Sequence, residues 1–96
     1  MTLHVRLVVP EGEIWAGDAE MVIAKTLEGD IGLLAGHSPV LGILSADSVV
    51  RILPQDRPAG RDWVQAAVGA GFLAIADDKV SILARQAQLR TASDEF

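Results

Sequence analysis

The length, composition and charge of the chain indicate one small acidic domain. Its 96 residues contain 8 Lys plus Arg against 13 Asp plus Glu, which gives a formal net charge of −5, and they contain no Cys. This length fits a single domain, and an apolar fraction of 50% is enough for a core and argues against intrinsic disorder. The acidic balance argues against nucleic-acid binding, which needs a basic face. The absence of Cys excludes disulfides, thiolate metal sites and Cys nucleophiles.

No targeting or membrane segment is expected. No apolar run approaches the roughly 18–20 residues that a membrane-spanning helix needs. The N-terminal residues 1–6 alternate between apolar and polar side chains, and they lack the unbroken apolar stretch of a signal peptide.

Alternation of apolar and polar residues predicts strands throughout the chain. Leu3, Val5, Leu7 and Val9 fall on one face of the first strand, which ends at Pro10 because proline cannot donate to a ladder. Turn signals recur every 8–12 residues, and no segment has a convincing helical apolar stripe. The predicted strands are residues 3–9, 14–16, 19–26, 31–34, 40–44, 49–53, 63–68, 72–76 and 79–84.

These short strands predict an all-β sandwich or barrel with little or no helix. We expect the β-domain to span residues 1–86, and residues 87–96 to form a short polar tail that could contain a helical turn. Residues 54–61 form a polar loop, and Asp77-Asp78 is a tight hairpin signal.

The residues that could support catalysis are few. His4 and His37 are the two histidines, and nothing in their spacing demands a zinc site, which usually has three or four ligands. Ser38 follows His37 directly, and adjacent residues seldom align as nucleophile and base. We therefore predict no catalytic, metal or cofactor site and a non-enzymatic role.

Two further motifs have ordinary structural interpretations. Gly69-Ala70-Gly71 begins like a dinucleotide fingerprint, but the third Gly is absent and a strand follows, so no nucleotide site is predicted. We expect it to be a hairpin corner in which Gly supplies positive φ. The carboxylates of Asp77-Asp78 are expected to be solvated.

The segment from residue 29 to residue 42 is unusually poor in charge. It contains four Gly and one Pro, and its only charged residue is Asp30. Such a segment fits either interior packing or a surface that docks against another chain, because interface cores are depleted in charge.

Residues 28–41, Glu-Gly-Asp-Ile-Gly-Leu-Leu-Ala-Gly-His-Ser-Pro-Val-Leu, resemble the signature of the F-type ATP synthase epsilon subunit. Trp15-Ala16-Gly17 resembles an upstream corner of that family, and residues 68–72 and 79–84 resemble its last hairpin and strand. The resemblance covers about residues 2–88. Ala35 replaces the usual Pro, and Ala70 the usual second Gly.

The resemblance implies a flattened ten-stranded sandwich in the rotor stalk of a proton-translocating ATP synthase. It implies a non-catalytic subunit without cofactors that couples rotation, monomeric when isolated and peripheral to the cytoplasmic face of the bacterial plasma membrane. The nucleotide-binding and inhibitory residues of the family's helical hairpin have no counterpart in these 96 residues and are not carried over. The alternative is a free-standing β-sandwich binding module outside the complex.

The resemblance also implies two sets of partner contacts. The gamma-subunit contacts are Val9, His37, Pro39 and Gly42, and the c-ring contacts are Glu28 and Asp30.

Overall fold

A computed structural model describes residues 2–55 and 63–90, which form nine strands and no helix. The all-β prediction is therefore confirmed. Within these residues no helix is long and apolar enough to cross a membrane. The strands are β1 (Leu3–Val9), β2 (Gly12–Thr26), β3 (Gly29–Leu33), β4 (Val40–Leu44), β5 (Ser48–Pro54), β6 (Val64–Val68), β7 (Gly71–Ala76), β8 (Lys79–Ala84) and β9 (Ala87–Arg90).

Strand β2 belongs to both halves of the sandwich. Its first part pairs with β1, which leads through β8 and β7 to β4. Its second part pairs with β3 and with β5, which leads through β6 to β9. The predicted break at Gly17-Asp18 is wrong, because β2 runs through it and changes partners at Ala19–Met21, where the register shifts. If β2 is counted once in each half, the nine strands give the ten that the resemblance implies.

The core lies between the two halves and follows the predicted alternation. Leu3, Val5 and Leu7 of β1 are 0–1% exposed, and the intervening His4 and Arg6 point to solvent. Each such side chain contributes about 1.5–3 kcal/mol when fully buried. The other large side chains of the core with almost no exposure are Val22, Leu33, Leu44, Val50, Ile52, Leu73, Ile75, Val80 and Ile82.

Strand β9 extends the sheet beyond the predicted end of the domain. Residues 87–90, expected to begin a polar tail, pair antiparallel with β6 from Val68↔Ala87 to Gln65↔Arg90. Four residues give too short a pattern to predict a strand from sequence. Strand β9 depends instead on pairing with the edge of β6. Residues 91–96 of the expected tail and 56–61 of the predicted polar loop lie outside the described residues.

Gly71 is the first residue of β7 and follows two residues that are hydrogen-bonded to the segment after β8. The Gly69 N–H donates to the Gln86 carbonyl at 2.9 Å, and the Arg85 N–H donates to the Ala70 carbonyl at 2.8 Å. The expectation that this corner needs positive φ is wrong, because neither Gly69 nor Gly71 has one. Gly71 is instead required by close approach, since a Cβ there would lie 2.0 Å from the Leu83 carbonyl oxygen.

We expect Gly71→Ala to lower the free energy of unfolding by about 2–3 kcal/mol, because the added methyl forces the backbones of β7 and β8 apart. Gly32→Ala is the matched control, since Gly32 also lies in a strand and no atom lies within 4 Å of its added Cβ. Urea unfolding of both variants checks this. Equal stabilities for the two would contradict the close-approach account.

Candidate partner-binding surface

The loop between β3 and β4 contains a type II turn. The His37 N–H donates to the Leu34 carbonyl at 3.1 Å, and Gly36, the third residue of the turn, has φ +89°. A type II turn requires positive φ at this position, which explains the glycine. This turn fixes the course of the chain leading to Pro39.

The side chain of His37 is held by its own loop. Its Nδ1 lies 2.7 Å from the carbonyl oxygen of Ser38, which can only accept, so Nδ1 bears the proton. The imidazole thus contacts the backbone of Ser38 rather than the hydroxyl. No group of three potential metal ligands occurs in residues 2–55 and 63–90. His37 is half-buried and Pro39 is exposed.

Glu28 and Asp30 lie at the tip of the β2–β3 hairpin, both exposed. The turn residues are Leu27 and Glu28, and Asp30 already belongs to β3, where it faces Lys25. The Thr26 hydroxyl donates to the Gly29 carbonyl at 2.8 Å and accepts from the Glu28 N–H at 3.2 Å. This hydroxyl therefore determines how the tip presents its two carboxylates.

Val9 and Gly42 lie on the inner side of the first half of the sandwich. Val9 is 6% exposed. Gly42 alternates with the exposed Leu41 and Ile43, and an added Cβ there would lie 3.2 Å from the Thr26 methyl. Among the six predicted contact residues, Glu28, Asp30 and Pro39 are thus the exposed ones.

Five apolar side chains form a continuous outer surface on β4, β7, β8 and β1, which we call the apolar outer face. Direct cross-strand neighbours join Ile43 to Phe72, Phe72 to Leu83, and Leu83 to Val8. Leu41 is 73% exposed and Phe72 is 47% exposed. Exposed apolar patches of this kind mark interaction sites. The apolar outer face consists of Val8, Leu41, Ile43, Phe72 and Leu83.

The sequence did not indicate the apolar outer face. Strands β4 and β7 are apolar on both sides, so their pattern alone does not separate inner from outer positions. On β1 and β8, Val8 and Leu83 follow polar residues on the same side of the strand, so the pattern predicts a polar outer side there. Moreover, β4 and β1 are distant in sequence from β7 and β8, and their adjacency depends on the fold. Phe72 and Leu83 also line an apolar groove beside Val9 and Pro10.

We expect Thr26→Val to lower the free energy of unfolding by about 1 kcal/mol, because it removes both hydroxyl hydrogen bonds of the hairpin tip. Thr26→Ser is the matched control, since it keeps the hydroxyl. Thermal unfolding of the two variants measures the difference. A Val variant as stable as the Ser variant would show that the hydroxyl does not hold the tip.

Comparisons with known proteins agree on one family. The model of the ATP synthase delta/epsilon chain beta-sandwich domain matches residues 2–90. The ATP synthase epsilon chain of Thermobifida fusca is 52% identical over 93 residues, which are 96% of this chain and 66% of that relative. The epsilon chain of Frankia casuarinae is 44% identical over 89 residues, which are 93% of this chain and 99% of that one.

Solved structures show the same fold. A chain of the Euglena gracilis mitochondrial ATP synthase, solved with its c-ring, superposes with a TM-score of 0.79 at 21% identity, covering 92% of this chain and 53% of that one. A chain of the Tetrahymena thermophila central stalk and c-ring superposes with a TM-score of 0.74 at 18% identity, covering 92% and 66%. This chain therefore belongs to the β-sandwich family of ATP synthase delta and epsilon chains.

Proposed function

We propose that this chain couples rotation in the ATP synthase by binding the gamma subunit through its apolar outer face and the c-ring through its β2–β3 hairpin tip. The observation that supports this most directly is the apolar outer face. Its exposed side chains, Leu41 and Ile43 above all, occupy solvent-facing strand positions where polar residues are the rule. Burial against gamma would remove this apolar area from water.

The two proposed partner surfaces adjoin each other. The Leu27 N–H donates to the Ile43 carbonyl at 2.9 Å, and the Ser45 N–H donates to the Lys25 carbonyl at 2.9 Å. These bonds fix the hairpin tip to the end of β4. Leu27 itself is 68% exposed and continues the apolar surface towards the carboxylates. A rigid link between the surfaces suits a subunit that transmits torque between two partners.

The predicted gamma-contact residues have three different roles in this proposal. Pro39 immediately precedes β4, the strand of Leu41 and Ile43, and His37 lies in the same loop, so we propose both as direct contacts. Val9 lies beside the groove of Phe72, so we propose that it shapes that groove. Gly42 lets β4 approach Thr26, and we propose that it supports the surface from behind.

Glu28 and Asp30 are proposed as the c-ring contacts because they are exposed carboxylates at a projecting tip. Contacts with the c-ring would hold the subunit at the cytoplasmic face of the bacterial plasma membrane through protein contacts alone. The isolated chain is proposed to be monomeric. The free-standing binding module remains the alternative, and it predicts no affinity for gamma.

We expect Leu41→Asp to weaken gamma binding by at least about tenfold, which corresponds to about 1.4 kcal/mol. The reason is that a carboxylate would have to be desolvated in an apolar contact. Val49→Asp is the matched control, because Val49 is also an exposed apolar strand residue but lies on β5, in the other half. Calorimetric titration with gamma measures both affinities.

Two results would contradict this assignment. Equal losses in both variants would exclude the apolar outer face as the specific contact. An unmodified chain that does not bind gamma would support the free-standing module instead. Circular dichroism of each variant distinguishes lost binding from lost folding.

We expect the double variant Glu28→Lys with Asp30→Lys to reduce proton-driven ATP synthesis while gamma affinity stays unchanged, because reversal of both charges replaces the contacts proposed for the c-ring. Glu11→Lys is the control, since Glu11 is an exposed carboxylate in the β1–β2 turn. The assay is ATP synthesis in vesicles reconstituted with an enzyme depleted of its epsilon subunit. Equal synthesis rates for the double variant and the control would place the c-ring contact elsewhere.

A further inference from the structure

The β7–β8 hairpin touches the loop that contains His37. The Gly36 N–H donates to Oδ1 of Asp78 at 2.7 Å, across 42 positions of sequence. Asp78 was expected to be a solvated turn carboxylate, and it is instead half-buried. This hydrogen bond joins the tip of one hairpin to the centre of the type II turn described above.

The Gly36 N–H belongs to the central peptide of the turn, and the orientation of this peptide distinguishes type I from type II. In a four-residue turn, types I and II differ by rotation of the central peptide, here the one between Ala35 and Gly36. Rotation to type I would point the Gly36 N–H away from the carboxylate. Glycine tolerates both states, so it does not choose between them by itself. The acceptor on Asp78 favours the type II state.

Asp78 occupies a backbone position that glycine would adopt more easily. Its φ is +62°, and that of the preceding Asp77 is +52°, so the hairpin has a type I′ turn without glycine. The Asp78 carbonyl also accepts from the His4 N–H at 2.8 Å, which ties the hairpin to β1. The aspartate at position 78 thus combines an unfavourable φ with a side-chain bond that glycine could not make.

We propose that Asp78 is a positioning residue that holds the turn from Leu34 to His37 in its type II form and so presents His37 and Pro39 to the gamma subunit. This inference rests on the proposed function, because the presented surface is the proposed gamma contact. Among the residues that the structure describes, the other hydrogen bonds of this loop are the turn bond of His37 and the imidazole contact with Ser38, both of which lie within the loop.

Three variants of the full chain test the role of the carboxylate. Asp78→Gly removes the acceptor and also relieves the strain that positive φ causes at this position. Asp77→Gly relieves the same strain in the same turn, and the Asp77 side chain makes no hydrogen bond within the described residues. Asp78→Asn keeps an oxygen acceptor on a residue that also tolerates positive φ.

The first readout is amide hydrogen exchange of Gly36 measured by NMR. We expect Asp78→Gly to accelerate this exchange by about tenfold or more, which corresponds to at least about 1.4 kcal/mol. Asp77→Gly should leave the rate unchanged, and Asp78→Asn should restore most of the protection. Unchanged Gly36 exchange in Asp78→Gly would overturn the proposal.

The second readout is affinity for gamma, compared with the thermal midpoint. We expect Asp78→Gly to bind gamma several-fold more weakly without a matching loss of the midpoint, and Asp77→Gly to bind like the parent chain. If Asp78→Gly frees the Gly36 amide but keeps full affinity, the positioning role is refuted while the proposed function stands. If the parent chain itself does not bind gamma, the proposed function fails, and with it the role of Asp78 in presenting the loop.

Discussion

The pairing of one long strand with partners in both halves of the sandwich is the constraint on which the structure depends. Strand β2 has fifteen residues, three times the usual strand length of about 5. It pairs with β1 up to Ala19 and with β5 from Ala19 onwards, and Ala19 is fully buried at this change of partner. The register shifts between Ala19 and Met21, so the change of partner coincides with a local irregularity of the kind that bends a strand.

The same strand, β2, also helps to position both proposed partner surfaces. The C-terminal end of β2 supplies Thr26, which shapes the hairpin tip and also packs behind Gly42 of β4. A single strand end therefore positions the carboxylates of Glu28 and Asp30 and supports the strand that bears Leu41. The hairpin of β7 and β8 contributes from the opposite side through Phe72 and Asp78. Binding surfaces built on strands in this way are more rigid than surfaces built on loops alone.

The sequence predicted where strands lie better than it predicted which strands pair with each other. The bounds of β1, β4 and β8 agree with the prediction, and β1 and β8 each have one consistently buried side. The chain passes through Gly17-Asp18 without a break because pairing with β1 outweighs the local turn preference. Strand β9 was missed because it depends on the edge of β6 rather than on its own residues.

For the proposed partner surfaces, too, the sequence indicated residues that are close in sequence and not contacts between distant segments. The signature residues Glu28, Asp30, His37 and Pro39 could be proposed because they lie close together in sequence and resemble a family motif. The apolar outer face and the bond from Gly36 to Asp78 could not, since they depend on contacts such as Val8 to Leu83 and Gly36 to Asp78, between residues far apart in sequence. Such contacts require the register of four strands, which alternation within one strand does not determine.

The most direct test uses the absence of cysteine, because one introduced thiol is then a unique label. Leu41→Cys places the thiol on the apolar outer face, and Val49→Cys places it on the other half of the sandwich. The measurement is the rate of maleimide labelling of each variant, with and without saturating gamma subunit. We predict that gamma slows labelling strongly at position 41 and leaves the rate at position 49 unchanged. Slower labelling at position 49 with no change at position 41 would contradict the account.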